Sequence, residues 1–178
     1  KGIVHSEMPS SSTGRLTGLQ LWLNLPAAEK MCAPRYQDLA EHHLPVEELD
    51  SGVRVKVIAG KTDQGTQSPL KDIATKPLFL DIHLPKQAEF QQQIPQDYQT
   101  ILFVFGGAVE VEGNRIEEKV LAVLGTGEQL HIKALETSQC LLVAASKLHE
   151  PIARYGPFVM NTQEEVMQAL DDFRNQRF

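Results

Sequence analysis

The sharpest chemical spacing in the sequence is His5-Ser6-Glu7. On an extended segment, residues i and i+2 project to one face, so the imidazole and the carboxylate would converge on a common point. A borderline nitrogen donor beside a hard oxygen donor is half a site for a first-row metal ion such as Fe(II), Mn, Ni or Cu. Taken alone, two polar residues on a solvated edge is the simpler reading. Two donors also fall short of the roughly three or four that a redox iron site uses.

The remaining histidines do not close a coordination sphere on spacing grounds. His83 shares a strand face with Asp81, opposite Leu80, Ile82 and Leu84, and is expected to face solvent or a partner surface. His131 lies between Leu130 and Ile132 and is open to either face; His42-His43, beside Glu41 and ahead of Pro45, reads as exposed loop. His149, in Leu148-His149-Glu150-Pro151, has no obvious partner. Nucleophilic chemistry is not signalled either. No Gly-x-Ser-x-Gly elbow occurs, no glycine-rich phosphate loop opens a helix, and neither Cys32 nor Cys140 has a histidine nearby in sequence.

Short β-type runs must position these residues. Val53–Ile58 alternates apolar with basic, Leu78–Leu84 places Leu80, Ile82 and Leu84 on one face, and Ile101–Phe105 is continuously apolar. Gly106-Gly107 reads as a turn, followed by alternation through Ala108–Glu112 and a second turn at Gly113-Asn114. Further strands are expected at Val120–Leu124, Gln129–Ala134 and Cys140–Ala145, which together read as a sandwich or barrel. Helix is scarce. Thr162 and Glu165 form a capping box ahead of Val166, Met167, Leu170 and Phe173, an apolar stripe expected to dock on the β core. A shorter helical turn is expected near Ala27–Met31. The polar stretch from Gly60 to Lys76 fits a functional loop and a plain excursion equally well.

Composition narrows the classes. The chain has 178 residues, 42% hydrophobic and 22% charged, enough for one core domain or one domain plus a piece of another. With 17 basic against 23 acidic residues and a formal charge of −6, direct nucleic-acid binding is not expected. No apolar run is long enough to span a bilayer. Two cysteines are too few for a disulfide framework and read as small packing residues in a reducing compartment, which points to the cytoplasm, or the nucleus in a eukaryote. The opening Lys1–Glu7 has no initiator Met and no basic-then-apolar pattern, and reads as a chain missing its beginning.

The sequence resembles the pirin family of bicupins at Gly2-Ile3-Val4-His5-Ser6-Glu7-Met8-Pro9 and through Gly18-Leu19-Gln20-Leu21-Trp22-Leu23-Asn24-Leu25. The resemblance continues at Pro34-Arg35-Tyr36-Gln37, returns at Ser68-Pro69, and closes with Glu150-Pro151-Ile152 and Tyr155–Thr162, in the family's order. It implies an all-β fold: a C-terminal cupin barrel (double-stranded β-helix, or jelly roll) with a terminal α-helix, plus the tail end of a first cupin. The expected division is residues 1–25 as remnant of the N-terminal metal-binding cupin, 26–52 as connector, and 53–178 as C-terminal cupin. Residues 1–25 would then lack strand partners, leaving Leu19, Leu21, Trp22 and Leu23 partly uncovered.

By the same resemblance, His5 and Glu7 inherit metal-ligand roles, with Glu7 also a candidate proton acceptor, while the family's His-x-His pair would lie ahead of residue 1. Ser6 and Met8 are expected to pack on the opposite face. In the second cupin the equivalent positions fall at Gln93, a poor iron ligand, and Pro95, which cannot coordinate, and around Ser138–Leu142, which holds no His, so that barrel is expected to be metal-free. The implied activity of the intact protein is an Fe(II) (or other divalent-metal) dioxygenase of quercetin 2,3-dioxygenase type acting on a flavonol-like molecule, the present chain being inactive and metal-free. The alternative is an iron-dependent, redox-sensitive co-regulator that binds a transcription-factor protein.

Overall fold

A computed structural model describes residues 1–8, Gly14 and 18–178. These divide into two compact units: Gln37–Lys147, and the pairing of Lys1–Tyr36 with Leu148–Phe178.

Ten strands build the first unit: β1 Val46–Glu48, β2 Arg54–Ala59, β3 Leu78–Leu84, β4 Glu89–Gln93, β5 Tyr98–Gly106, β6 Ala108–Val111, β7 Asn114–Glu117, β8 Val120–Leu124, β9 Gln129–Ala134 and β10 Ser138–Ser146. They form a six-stranded sheet in the order β1-β2-β3-β10-β5-β8 and a four-stranded sheet in the order β4-β9-β6-β7. Every pairing is antiparallel. This is the cupin jelly roll, with a single apolar core contributed by both sheets. The two-residue alternation in the sequence dictates the core. Val55, Val57, Leu80, Ile82, Leu102, Val104 and Leu142 are buried from the larger sheet, and Phe90, Val109, Ile116, Leu130 and Ile132 from the smaller.

The chain passes between the sheets at Gly106-Gly107. The sequence reads this pair as a hairpin turn, yet β5 and β6 do not pair with each other: β5 lies in the larger sheet and β6 in the smaller. Gly107 has φ +74°, and a Cβ there would stand 2.4 Å from Thr137 O and 2.5 Å from Ser138 Oγ. Both the left-handed backbone and the close approach therefore demand glycine. Ser138 makes this crossing self-consistent. Its buried hydroxyl accepts the Ala108 N–H at 3.1 Å and lies within donating distance of Ala108 O (2.9 Å) and Glu136 O (2.8 Å). The hairpin is one step later. Glu112 (φ +50°) and Gly113 (φ +73°) link β6 to β7 with Val111 opposite Asn114, the geometry of a two-residue type I′ turn.

The Gly60–Lys76 stretch folds back on the barrel through Thr62, whose hydroxyl donates to Glu47 Oε2 at 2.5 Å in a buried contact. Asp63 accepts from Gln92 Nε2 (2.8 Å) and the Gln93 N–H (2.9 Å), and Ser68 donates to Ile58 O (2.7 Å). Burial pushes the Cys140 thiol up to about 12, with the Asp81 charge adding to the effect. Cys32, expected to be packed, is exposed.

The second unit contains the hairpin of β11 Ala153–Tyr155 and β12 Phe158–Met160, the helix α1 Gln163–Arg174, and a 3-10 turn at Ala27–Glu29 in the expected place. The capping box forms as the sequence reads: Thr162 Oγ1 accepts the Glu165 N–H (3.2 Å), and Glu165 Oε2 accepts the Thr162 N–H (3.0 Å). The helix departs from expectation in what it covers. It packs on β11 and β12 and belongs to the unit with residues 1–36, not to the barrel. Val166 is its buried anchor, whereas Met167, one position round the helix, is 62% exposed. Phe173 instead joins Phe158 and Phe178 in a cluster of rings with centroids 5.9–6.1 Å apart.

Glu150 ties the two stretches of this unit together, accepting the Ala27 N–H at 2.7 Å and Asn161 Nδ2 at 3.1 Å. Lys30 makes a parallel tie, donating from Nζ to Asn24 Oδ1 (2.6 Å) and Val159 O (3.0 Å). Desolvation lowers its pKa, against the opposing fields of Glu150 and Glu165. Leu19, Leu21, Trp22 and Leu23 are exposed, Trp22 by 57%. The Arg154 guanidinium lies 5.5 Å from the Trp22 ring centroid. Among the described residues before Ala27, none belongs to a strand.

Candidate metal half-site at His5 and Glu7

His5 and Glu7 occupy a segment that is neither helix nor strand, and their side chains approach each other: His5 Nε2 lies 3.8 Å from Glu7 Oε1. Two donors each about 2.1 Å from one first-row ion stand roughly 3–4 Å apart, so the separation suits a shared cation. The donor set, one imidazole and one carboxylate, suits such an ion as well. Both side chains are open, 58% and 67% exposed. Met8 and Ser6, expected to pack on the opposite face, are exposed too, because no described residue covers that side.

A third side chain enters that the spacing argument does not reach. Gln20 Nε2 donates to Glu7 Oε1 at 2.6 Å and fixes the rotation of the carboxylate. Gln20 sits thirteen residues beyond Glu7, and its place in the Gly18–Leu25 block is the sequence signal that marks it.

The other histidines stand apart from this pair in their contacts. His83 is exposed on β3, with Nε2 3.5 Å from Asp81 Oδ1 and 2.6 Å from Gln139 Nε2. His131, whose direction the sequence leaves open, points outward from β9 and meets Glu89 Oε2 at 3.1 Å. His42 and His43 lie in an exposed 3-10 turn, their rings 4.0 Å apart. His149 is exposed with φ +53°. Among the described residues, no group of three or more His, Cys, Asp or Glu side chains could hold a metal ion together.

The barrel interior corrects one register expectation. Gln93 and Pro95 are exposed, and the inward positions at that end of β4 belong to Gln92 and Ile94. Gln92 is held by Asp63, donating to Oδ1 and accepting the Asp63 N–H at 3.3 Å on Oε1. On β9 the inward residues are Leu130, Ile132 and Ala134. Among the described residues, no helix is long and apolar enough to cross a membrane.

Comparison with known proteins agrees with this architecture. Residues 79–178 match the model of the pirin C-terminal cupin domain. A pirin-like protein of Caulobacter vibrioides is 43% identical over 178 residues, covering 100% of this chain and 64% of the relative. A protein of Pseudomonas aeruginosa named a putative quercetin 2,3-dioxygenase is 38% identical over 180 residues, covering 98% of this chain and 63% of the relative. Human pirin is 39% identical over 181 residues, covering 98% and 61%. The chain thus spans somewhat under two-thirds of the length of these curated relatives. The crystal structure of a quercetin 2,3-dioxygenase from Acinetobacter baumannii superposes with a TM-score of 0.81 at 32% identity, over 88% of this chain and 55% of that one. With the jelly roll, the matched C-terminal cupin and relatives this similar along its whole length, the chain belongs to the pirin family of bicupins.

Proposed function

We propose that His5 and Glu7 are half of the metal site of a dioxygenase of quercetin 2,3-dioxygenase type. The observation that carries the reading is the convergence of the two side chains to 3.8 Å. Likeness to the Pseudomonas aeruginosa and Acinetobacter baumannii proteins, whose names state that activity, supports it. The rest of the ligand set would be a His-x-His pair of the kind that the family resemblance implies.

His5 would coordinate through Nε2 and Glu7 through its carboxylate. Fe(II), when bound, supplies Lewis acidity and a one-electron couple toward dioxygen. The protein's own contribution is the handling of a proton. A flavonol reacts from its deprotonated form, and Glu7, itself one of the pair, would be the base that accepts the hydroxyl proton. Gln20, donating to Oε1, would hold the oxygen that faces His5 toward the shared ion and leave Oε2 to accept the proton.

The test is carbon monoxide release from quercetin, with Fe(II) loaded, by a protein that joins this sequence to a segment bearing the His-x-His pair. Release that disappears in Glu7→Ala supports the enzyme. No release, together with partner-protein binding that depends on the oxidation state of the iron, would replace it with the co-regulator reading.

A further inference from the structure

The barrel of the Gln37–Lys147 unit opens into a cavity of about 530 Å³ between the edge strands of the two sheets. Its walls are Ile94, Val111, Ile116, Ala122, Leu124 and Leu130, and its rim is the β6–β7 turn on one side and Gly125-Thr126-Gly127 on the other. A Cβ added to Gly125 or Gly127 would meet nothing within 4 Å. None of the residues of the His5–Glu7 site lines it.

The volume lies in the range of about 300–1,000 Å³ typical of small-molecule sites, and the mouths of β-barrels are a recurrent place for them. The lining decides the chemistry. No Lys, Arg or His contributes to it, so an anionic ligand would lose its hydration without gaining a counter-charge. The polar groups are Glu112, Asn114 and Gln129 near the rim, with Thr126, and Thr100 deeper and buried. The amide nitrogen of Asn114 is engaged by Glu112 O, and that of Gln129 by Gln91 Oε1. Each amide keeps its carbonyl oxygen and a second N–H, while the Glu112 carboxylate at the rim, when ionised, only accepts, which favours a donor on the ligand.

We infer that this cavity is a binding site for an uncharged, largely apolar small molecule that carries a hydroxyl or amine donor at one end. It is independent of the metal half-site and of the activity proposed for it.

The test uses the 178-residue chain and three probes of one shape: 2-naphthol, 2-methoxynaphthalene and 2-naphthoate. Binding is followed by probe fluorescence and by amide shifts in two-dimensional NMR. The expected result is saturable one-to-one binding of 2-naphthol, several-fold weaker binding of the methoxy compound and no measurable binding of the carboxylate. The shifted amides should be those of Glu112–Asn114 and Gly125–Gly127. Ala122→Trp, which fills the cavity, should weaken 2-naphthol binding at least tenfold, and Glu112→Gln should weaken it less. Trp22→Ala should leave it unchanged. Amide dispersion in the Ala122→Trp spectrum verifies that the variant is folded. Should that variant unfold, the map of shifted amides in the parent chain decides the matter. Shifts confined to Leu19–Leu25, equal binding of the anion, or no binding of any probe would overturn the assignment.

Discussion

Gly107 and Gly113 share a left-handed backbone, φ +74° and +73°, and differ in what surrounds them. Replacing either with alanine costs about 1–2 kcal/mol for holding a Cβ in that conformation. At Gly113 nothing stands within 4 Å of the new methyl, so the cost stops there. At Gly107 the methyl would meet Thr137 O at 2.4 Å and Ser138 Oγ at 2.5 Å, so the backbone of the crossing must move. That movement disturbs a buried hydroxyl serving Ala108 and Glu136, a further cost of about 1–3 kcal/mol. Equilibrium urea unfolding of the two variants should therefore differ by about 1–3 kcal/mol, Gly107→Ala being the less stable, at unchanged m-value. Ser138→Ala combined with Gly107→Ala should cost less than the sum of the two, because one obstructing atom has gone. Equal destabilisation by the two alanines would refute the close-approach argument and leave backbone conformation as the whole explanation.

Leu102→Ala, which empties a fully buried position between the sheets, should destabilise the chain by about 2–5 kcal/mol in the same assay. Thr162→Ala removes the helix cap and should cost about 1 kcal/mol, with faster amide exchange at Glu165. A thiol reagent at pH 8 should modify Cys32 in the native chain and reach Cys140 only after unfolding. Because the Cys140 thiol is raised from 9.0 to about 12, the unfolded chain loses this proton first, and stability should fall as pH rises from about 9 toward 12. Elemental analysis of the 178-residue chain should show no stoichiometric iron, since His5 and Glu7 supply only two donors; one tightly held ion per chain would defeat that expectation. Light scattering should detect self-association driven by exposed Leu19, Leu21, Trp22 and Leu23, and a monodisperse monomer would count against it.

The strands legible in the sequence are those with strong alternation or a continuous apolar run. Leu78–Leu84, Val120–Leu124 and Gln129–Ala134 coincide with β3, β8 and β9. The strands that escape are short or polar. Asn114-Arg115-Ile116-Glu117 offers a single apolar residue, and Glu89–Gln93 carries only Phe90, so their pairing comes from the sheet around them rather than from periodicity. The helix is legible because its cap is local, but its docking surface is not, since β11 and β12 are three residues each and give no pattern. At the candidate site, the i,i+2 rule finds His5 and Glu7; Gln20 reaches Glu7 through chain geometry that no local rule encodes. The Gln93 and Pro95 register fails by one residue, which in a strand turns every side chain to the other face.

Glu150 bonds to Ala27 across 123 residues of chain, and Lys30 to Val159 across 129. The unit they hold is discontinuous, interrupted by the entire jelly roll between Gln37 and Lys147. During vectorial synthesis the stretch ahead of Gln37 is therefore committed to waiting: its partners follow the whole jelly roll out of the ribosome. A nascent polypeptide arrested before Leu148 would expose the apolar stretch ahead of Gln37 without its partners, a species suited to chaperone capture, and proteolytic loss of residues 148–178 would return the molecule to that condition.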